Sequence, residues 1–317
     1  MTWMAAAAKK SSAAEIEARS GLVEVDTLKV DPIWLGVWWW SDLHVPAARL
    51  APGQSKKKRH HRNLAMTLLP IIAASLLILF PLYVVYRPPH LLIRYFQSQW
   101  PDILWHVQLP PSRKVVALTI DDSPSEYTDE IRQVLRAHGA TATFFVIGDQ
   151  ITSREREETL QSLIRNGNEL ANHAMHDEPS RALCDEELVA QIEAVHAQIQ
   201  RIYSSSSVRK GHTAPLPVPP RYFRPGSGFF SSRMRSVVAT LDHRLVLGSV
   251  YPHDPFVRFW WVNARHILSM LRPGAIIVCH DRREWTVPML RYLLPEMARR
   301  GYEVVSVTEL LREALGE

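Results

Sequence analysis

The sequence predicts an α/β fold, a distorted (β/α) barrel of about seven parallel strands, preceded by one transmembrane helix. Three observations carry this. From Lys114 onward, short apolar stretches rich in Val and Ile alternate with helical patterns. Glycines (Gly139, Gly167, Gly274, Gly301) stand where helices exit towards strands. Ahead of all this lies an uncharged apolar run from Leu64 to Tyr86. The strand-like stretches are 115–120, 142–147, 168–171, 222–224, 245–250, 275–279 and 303–307. The helical patterns between them are 129–137, 154–165, 185–202, 231–240, 262–271 and 287–300. Continuous rather than alternating apolar strands belong to a parallel sheet covered by helices. So many repeats in one domain favour a closed or nearly closed barrel, with an open doubly wound sheet as the alternative.

Composition narrows the class. The chain has 317 residues, 46% hydrophobic, with 13 Gly and 2 Cys, which excludes collagen-like, disulfide-framework and wholly disordered proteins. Cys184 and Cys279 leave a single disulfide open as an option. Lys and Arg number 37 against 32 Asp and Glu, but the excess sits mainly before the apolar run. The folded part is nearly balanced, so nothing marks it as a nucleic-acid binder. No glycine-rich phosphate loop follows the first strand, so no nucleotide is expected either. The segment 204–220, SSSSVRKGHTAPLPVPP, reads as an exposed insertion.

The run 64–86 spans roughly 34 Å as a helix, enough for a hydrocarbon core of about 30 Å. Pro70 and Pro81 are tolerable there. Lys56, Lys57, Lys58, Arg59 and Arg62 precede it, while only Arg87 and Arg94 follow closely. The positive-inside rule then expects a single-pass type II topology. On this reading residues 1–63 are expected as a cytosolic, mostly disordered tail, 64–86 as the span in contact with the lipid bilayer, 87–112 as a juxtamembrane stalk, and 113–317 as an extracellular or luminal catalytic domain. The cluster Trp34, Trp38, Trp39, Trp40 in the tail has no assigned role.

Barrel chemistry resides at the C-terminal ends of strands. Here the first strand ends in Asp121-Asp122, the third in His173-Ala174-Met175-His176-Asp177, and the fourth in Arg224-Pro225-Gly226-Ser227. The fifth leads to His253-Asp254 and the sixth to His280-Asp281. Singly, each is as readily a turn or a helix cap. Together, a barrel brings them to one mouth. Of two adjacent carboxylates, one can hold a divalent metal while the other takes a proton. Zinc accepts imidazole and carboxylate donors and keeps a position for water, and a separate imidazole can protonate a leaving group. This pattern points to metal-assisted hydrolysis of an acyl group. Cys279 beside His280 reads as a packed small apolar residue.

The stretch from about Lys114 to Leu311 resembles the NodB-homology polysaccharide deacetylases (chitin deacetylase-like carbohydrate esterases). TIDDSP is similar to that family's TFDDGP, FRPGSG to its arginine-proline motif, and IIVCHD to its last motif. The resemblance implies Asp121 as general base and Asp122 and His173 as metal ligands. It implies Arg224 as the residue orienting Asp121, and a backbone N–H near Ser227 on the oxyanion. It further implies His280 as general acid and Asp254 as the residue tuning it. The cofactor implied is one divalent metal, zinc first, with Co, Mn or Ni as options.

Three departures stand out. The family's His-x-x-x-His becomes His173-x-x-x-Asp177, with His176 one residue earlier, so Asp177 is the expected third ligand and His176 its alternative. Gly226-Ser227 replaces the usual Pro-Tyr, and the fourth motif keeps only Asp254. The expected activity is metal-dependent removal of acetyl groups from N-acetylated carbohydrate polymers or oligosaccharides of chitin type. The rivals are a glycan-binding protein without catalysis on a decayed barrel, and a deacetylase of another acetylated polymer.

Overall fold

The computed structural model describes residues 56–208 and 218–316. The Trp34–Trp40 cluster, most of the expected tail and the centre of the 204–220 insertion lie outside them. The chain divides into units 1–63 and 64–317, and the second carries the fold.

Helix α1 (Lys56–Tyr86) includes Pro70 and Pro81. Within it, Leu68–Tyr86 has a mean hydropathy of 2.5 and is long and apolar enough to cross a membrane, the one such helix among the described residues. From Leu68 to Tyr83 its side chains are exposed. Helix α2 (His90–Gln99) follows Pro88-Pro89. Proline at this position fits a helix start, where the missing N–H has no partner to lose.

The domain then runs β1 (Val115–Ser123), α3 (Thr128–Ala137), β2 (Thr143–Val146), α4 (Arg154–Arg165), β3 (Glu169–Asn172), α5 (Asp185–Val208), β4 (Tyr222–Phe223), α6 (Ser232–Thr240), β5 (Arg244–Leu245), α7 (Trp260–Met270), β6 (Ile276–His280), α8 (Thr286–Arg299), β7 (Glu303–Val305) and α9 (Val307–Leu315). The strands are parallel in the order β5-β4-β3-β2-β1-β6, and β7 pairs with the start of β1. After β5 the chain continues to Val250, which bridges in parallel to Ile277 of β6. This contact bends the sheet back on itself and accounts for the curled half-barrel. The doubly wound alternative is excluded by that curl.

Strand alternation sorts the core into two faces. Val115, Ala117, Phe145, Ala171 and Ile276 share one buried cluster within the curl. Val116, Leu118, Ile120, Phe144, Leu170, Ile277 and Cys279 pack outward against the helices. Cys279 is thus buried in apolar packing, and Cys184 is exposed, and both thiols are free. Ser306 and Glu309 form a reciprocal capping box that starts α9 directly after β7.

The segment read as a stalk is instead folded onto the domain. Ile103 and Leu104 are buried. Leu104 bridges in parallel to Val246, and His106 bridges in antiparallel fashion to Ala275. These contacts fill the opening between the β5 and β6 sides of the curl. Gly274 marks how closely the chains approach. It has φ +79°, and a Cβ there would stand 1.7 Å from the Val107 carbonyl oxygen. This packing is hidden in the sequence because it rests on contacts with residues more than a hundred positions away.

Candidate active site

The inward face of β1 ends in Thr119 and Asp121, so the same alternation that buries Val115 and Ala117 carries a carboxylate into the curl. β6 lies in register beside it, with Asp121 opposite His280. The Asp281 N–H donates to the Asp121 carbonyl at 2.8 Å, the His173 N–H to Val146 at 2.9 Å, and the Arg224 N–H to Asn172 at 3.0 Å. Ladder bonds therefore continue past the formal strand ends and fix the residues that follow. Six residues other than glycine among those described have positive φ, and five of them (Asp122, Ala174, Ser227, His253, Arg282) stand on these strand-end loops. Such backbone strain persists where surrounding contacts over-determine it.

Asp121 and Arg224 are both buried. The guanidinium NH1 donates to Asp121 Oδ1 at 2.5 Å and to Thr119 Oγ1 at 2.7 Å, and Nε donates to the Val246 carbonyl at 2.9 Å. Its flat face lies 4.0 Å from the Phe145 ring centroid. Burial pulls the Arg224 pKa down, and the Asp121 carboxylate opposes this.

His280 forms the second dyad. Its Nδ1 lies 2.9 Å from Asp254 Oδ1, and its backbone N–H donates to Asp254 Oδ2 at 2.8 Å. Asp254 is fully buried and held in place as Trp285 Nε1 donates to its carbonyl. His280 Nε2 faces Asp121 Oδ2 at 4.0 Å. Burial works against the imidazolium, but Asp254 and then Asp121 and Asp122 outweigh it and raise the pKa to about 9. His280 therefore keeps its proton through neutral pH. Asp254→Asn removes its strongest favourable partner. The NMR titration midpoint of the His280 imidazole is expected to fall by about 1–3 units, the effect of one close opposite charge. An unmoved midpoint would assign the raised value to another group.

Asp122 and His173 stand together on neighbouring loops. His173 Nδ1 lies 2.7 Å from the Arg224 carbonyl, to which it donates, and Nε2 faces Asp122 Oδ1 at 3.6 Å. Burial opposes ionisation of Asp122, but His173, His280 and Arg283 outweigh it and bring the carboxyl down to about 2. Two donors at this separation suit adjacent positions on one cation, since zinc bonds to nitrogen and oxygen are about 2.0–2.2 Å. The carbonyl bond that orients the ring is the usual support for a ligating histidine.

The expected third ligand is not gathered with them. Asp177 is exposed and paired with Arg282 NH1 at 3.0 Å, and His176 is exposed with Nδ1 2.5 Å from Asp149 Oδ2. Arg283 NH2 stands 3.8 Å from the other Asp122 oxygen. Among the described residues no group of three or more His, Cys, Asp or Glu forms a metal-holding cluster. The donor pair fits a divalent ion; a complete three-residue set is not assembled. Ser227 is exposed at φ 62°, in the turn after Arg224-Pro225.

One contributor escaped the sequence reading. Asp281 is fully buried and accepts hydroxyl bonds from Ser123 at 3.0 Å, from Ser125 at 2.5 Å and from Thr128. It thereby ties the loop after Asp122 to the end of β6. Its signal was present as the residue after His280, but a capping role reads the same in sequence.

A buried carboxylate held by arginine thus faces an imidazole held by a second carboxylate, an arrangement able to supply both a base and an acid. Comparisons with known proteins bear on the family. The family model "Polysaccharide deacetylase" matches residues 108–246. A chitooligosaccharide deacetylase of Bradyrhizobium sp. is 30% identical over 217 residues, covering 62% of this chain and 90% of that protein. A peptidoglycan-N-acetylglucosamine deacetylase of Bacillus cereus is 28% identical, covering 66% and 93%. Among solved structures, peptidoglycan deacetylase PdaC from Bacillus subtilis superposes with a TM-score of 0.55 at 26% identity, covering 66% of this chain and 94% of that one. The chain belongs to the polysaccharide deacetylase family, a family of hydrolases. His280 and Asp254 lie beyond the matched stretch 108–246.

Proposed function

We propose that the protein is a membrane-anchored, metal-dependent deacetylase of N-acetylated carbohydrate polymers. The observation that carries this is the facing pair of dyads, Arg224–Asp121 and Asp254–His280, with 4.0 Å between the carboxylate and the imidazole. Asp121 is the base that takes the proton of the attacking water, and Arg224 fixes its carboxylate in that position. His280 stays protonated at neutral pH and gives its proton to the departing amine, with Asp254 holding the ring. Asp122 and His173 are the donors for a divalent cation, zinc first and Co, Mn or Ni as options. Asp177 completes the set when it leaves Arg282, with His176 as the alternative. Such an ion, when bound, supplies an electrophile for the acetyl carbonyl and lowers the pKa of water. A backbone N–H near Ser227 offers a further donor to the oxyanion.

The apolar run in α1 and the basic cluster before it support a type II anchor, with residues 1–63 cytosolic and the domain that follows extracellular or luminal. The names of the relatives support N-acetylglucosamine polymers of chitin or peptidoglycan type as the substrate class, and another acetylated polymer remains the near rival.

The test is acetate release from N-acetylglucosamine oligomers by the full chain in detergent, before and after chelation. Release that chelator abolishes and zinc restores is the expected result. No release with Zn, Co, Mn or Ni ends the reading. The pairing of Asp177 with Arg282 favours one alternative, a glycan-binding protein without catalysis. Bound oligomer with no stoichiometric metal and no acetate would select it.

A further inference from the structure

The end of α1 does not leave the domain free on a tether. The Tyr86 ring stacks on His253 with centroids 5.0 Å apart and meets His266 of α7 edge-on at 4.6 Å. His253 Nε2 lies 3.0 Å from the Tyr86 carbonyl, and Arg87 NH2 donates to the Ser269 carbonyl, also on α7, at 2.9 Å. The loop and helix that receive α1 are also where the domain shows its aromatic residues. Phe256 is 80% exposed, Phe259 63% and Trp261 49%, with Trp260 beside them. Large apolar side chains at this density on a soluble face call for a covering phase. Between Asp254 and Asp281 the chain carries Arg258, Arg265 and Arg272 and no acidic residue. Arg258 and Arg265 are exposed among these aromatics.

We propose that the face made by Phe256, Phe259, Trp260 and Trp261 lies in the headgroup region of the bilayer that α1 enters. The inference rests on the membrane anchoring proposed above and adds to it a fixed orientation of the domain. Aromatic residues favour the headgroup level and arginines favour anionic lipid, so the residue types match the occupant. Continuity decides between lipid and other partners. The face begins within three residues of His253, which touches the last residue of the apolar helix. The same loop carries Asp254, and the Tyr251 ring links His253 to His280 through edge contacts at 4.8 and 5.8 Å. The catalytic mouth is thereby held near the membrane surface, where it meets acetylated chains lying at or emerging from the bilayer.

Depth-dependent quenching tests this with the full chain in phosphatidylcholine–phosphatidylserine vesicles. Cys184→Ser removes the exposed thiol, and an environment-sensitive label is placed singly at Phe256→Cys, Leu77→Cys or Gln200→Cys. Leu77 lies inside the apolar span, and Gln200 is exposed on α5. Expected are quenching of the 256 label by shallow doxyl lipid more than by deep, quenching of the 77 label, and none at 200. A label at Trp261→Cys repeats the reading should the loop variant fold poorly. A quenched label at 77 with unquenched labels at 256 and 261 overturns this inference and leaves the anchor standing. An unquenched label at 77 overturns the anchor and the inference with it. Labels at 256 and 261 that ignore lipid quenchers but respond to protein density assign the face to a second copy of the chain, and overturn the inference too.

Discussion

Asp121→Asn is expected to slow acetate release by about 10²–10⁴-fold, the usual weight of one positioned acid or base. The amide keeps the shape of the side chain, and its oxygen still accepts from Arg224 NH1. What disappears is the capacity to take a proton at Oδ2, the oxygen that faces His280 Nε2 at 4.0 Å. The rate loss should therefore fall on kcat, with KM for the oligomer little changed. The variant also leaves the buried guanidinium without its counter-charge, so circular dichroism must confirm folding at the assay temperature. Arg224 retains Thr119, the Val246 carbonyl and the Phe145 face, and these contacts favour a folded variant. A kcat within tenfold of wild type would place the base elsewhere and would deprive the Arg224–Asp121 dyad of its central role in the reaction.

The parts of this site that could be read in sequence are those set by local periodicity. β1, β2, β3, β6 and β7 fall within a few residues of their predicted ranges, because buried parallel strands write themselves as short Val- and Ile-rich runs. Strand ends then locate Asp121, Asp122, His173, Arg224, Asp254 and His280, and the structure brings these six to one mouth. Pairings across loops were not legible. Nothing in the spacing of Asp177 and Arg282, 105 residues apart, says that they meet, nor that Arg283 reaches towards Asp122. The same holds for Phe145 beneath Arg224. Its strand was recognised, but which side of the sheet it faces depends on register with β3. The proximal segment 100–107 was missed for a related reason. Its two backbone bridges join positions whose partners lie some 140 and 170 residues later, and a chain read locally shows only an irregular, Pro-bounded stretch.

Arg224→Met should be the most destabilising single change at the site. The pair it breaks is almost completely buried, with Arg224 2% and Asp121 3% exposed. Met preserves most of the stem and its contact with Phe145, so little packing is lost. The cost comes from Asp121, whose buried carboxylate loses its directly hydrogen-bonded cation and keeps only the His280 imidazolium at 4.0 Å. Breaking a buried pair in this way typically costs about 3–5 kcal/mol. For a domain of this size that corresponds to a Tm lower by on the order of 10 °C. Thermal unfolding of the full chain in detergent, followed by circular dichroism, measures it. The double variant Asp121→Asn, Arg224→Met separates charge from shape. With the stranded charge removed, Tm should recover part of the way towards wild type, although catalysis stays lost. A single variant that melts within about 2 °C of wild type, the effect of less than about 1 kcal/mol at this size, would mean that solvent reaches the pair. Arg224 would then be dispensable for holding the base, and Asp121 would have to owe its position to the ladder between β1 and β6 alone.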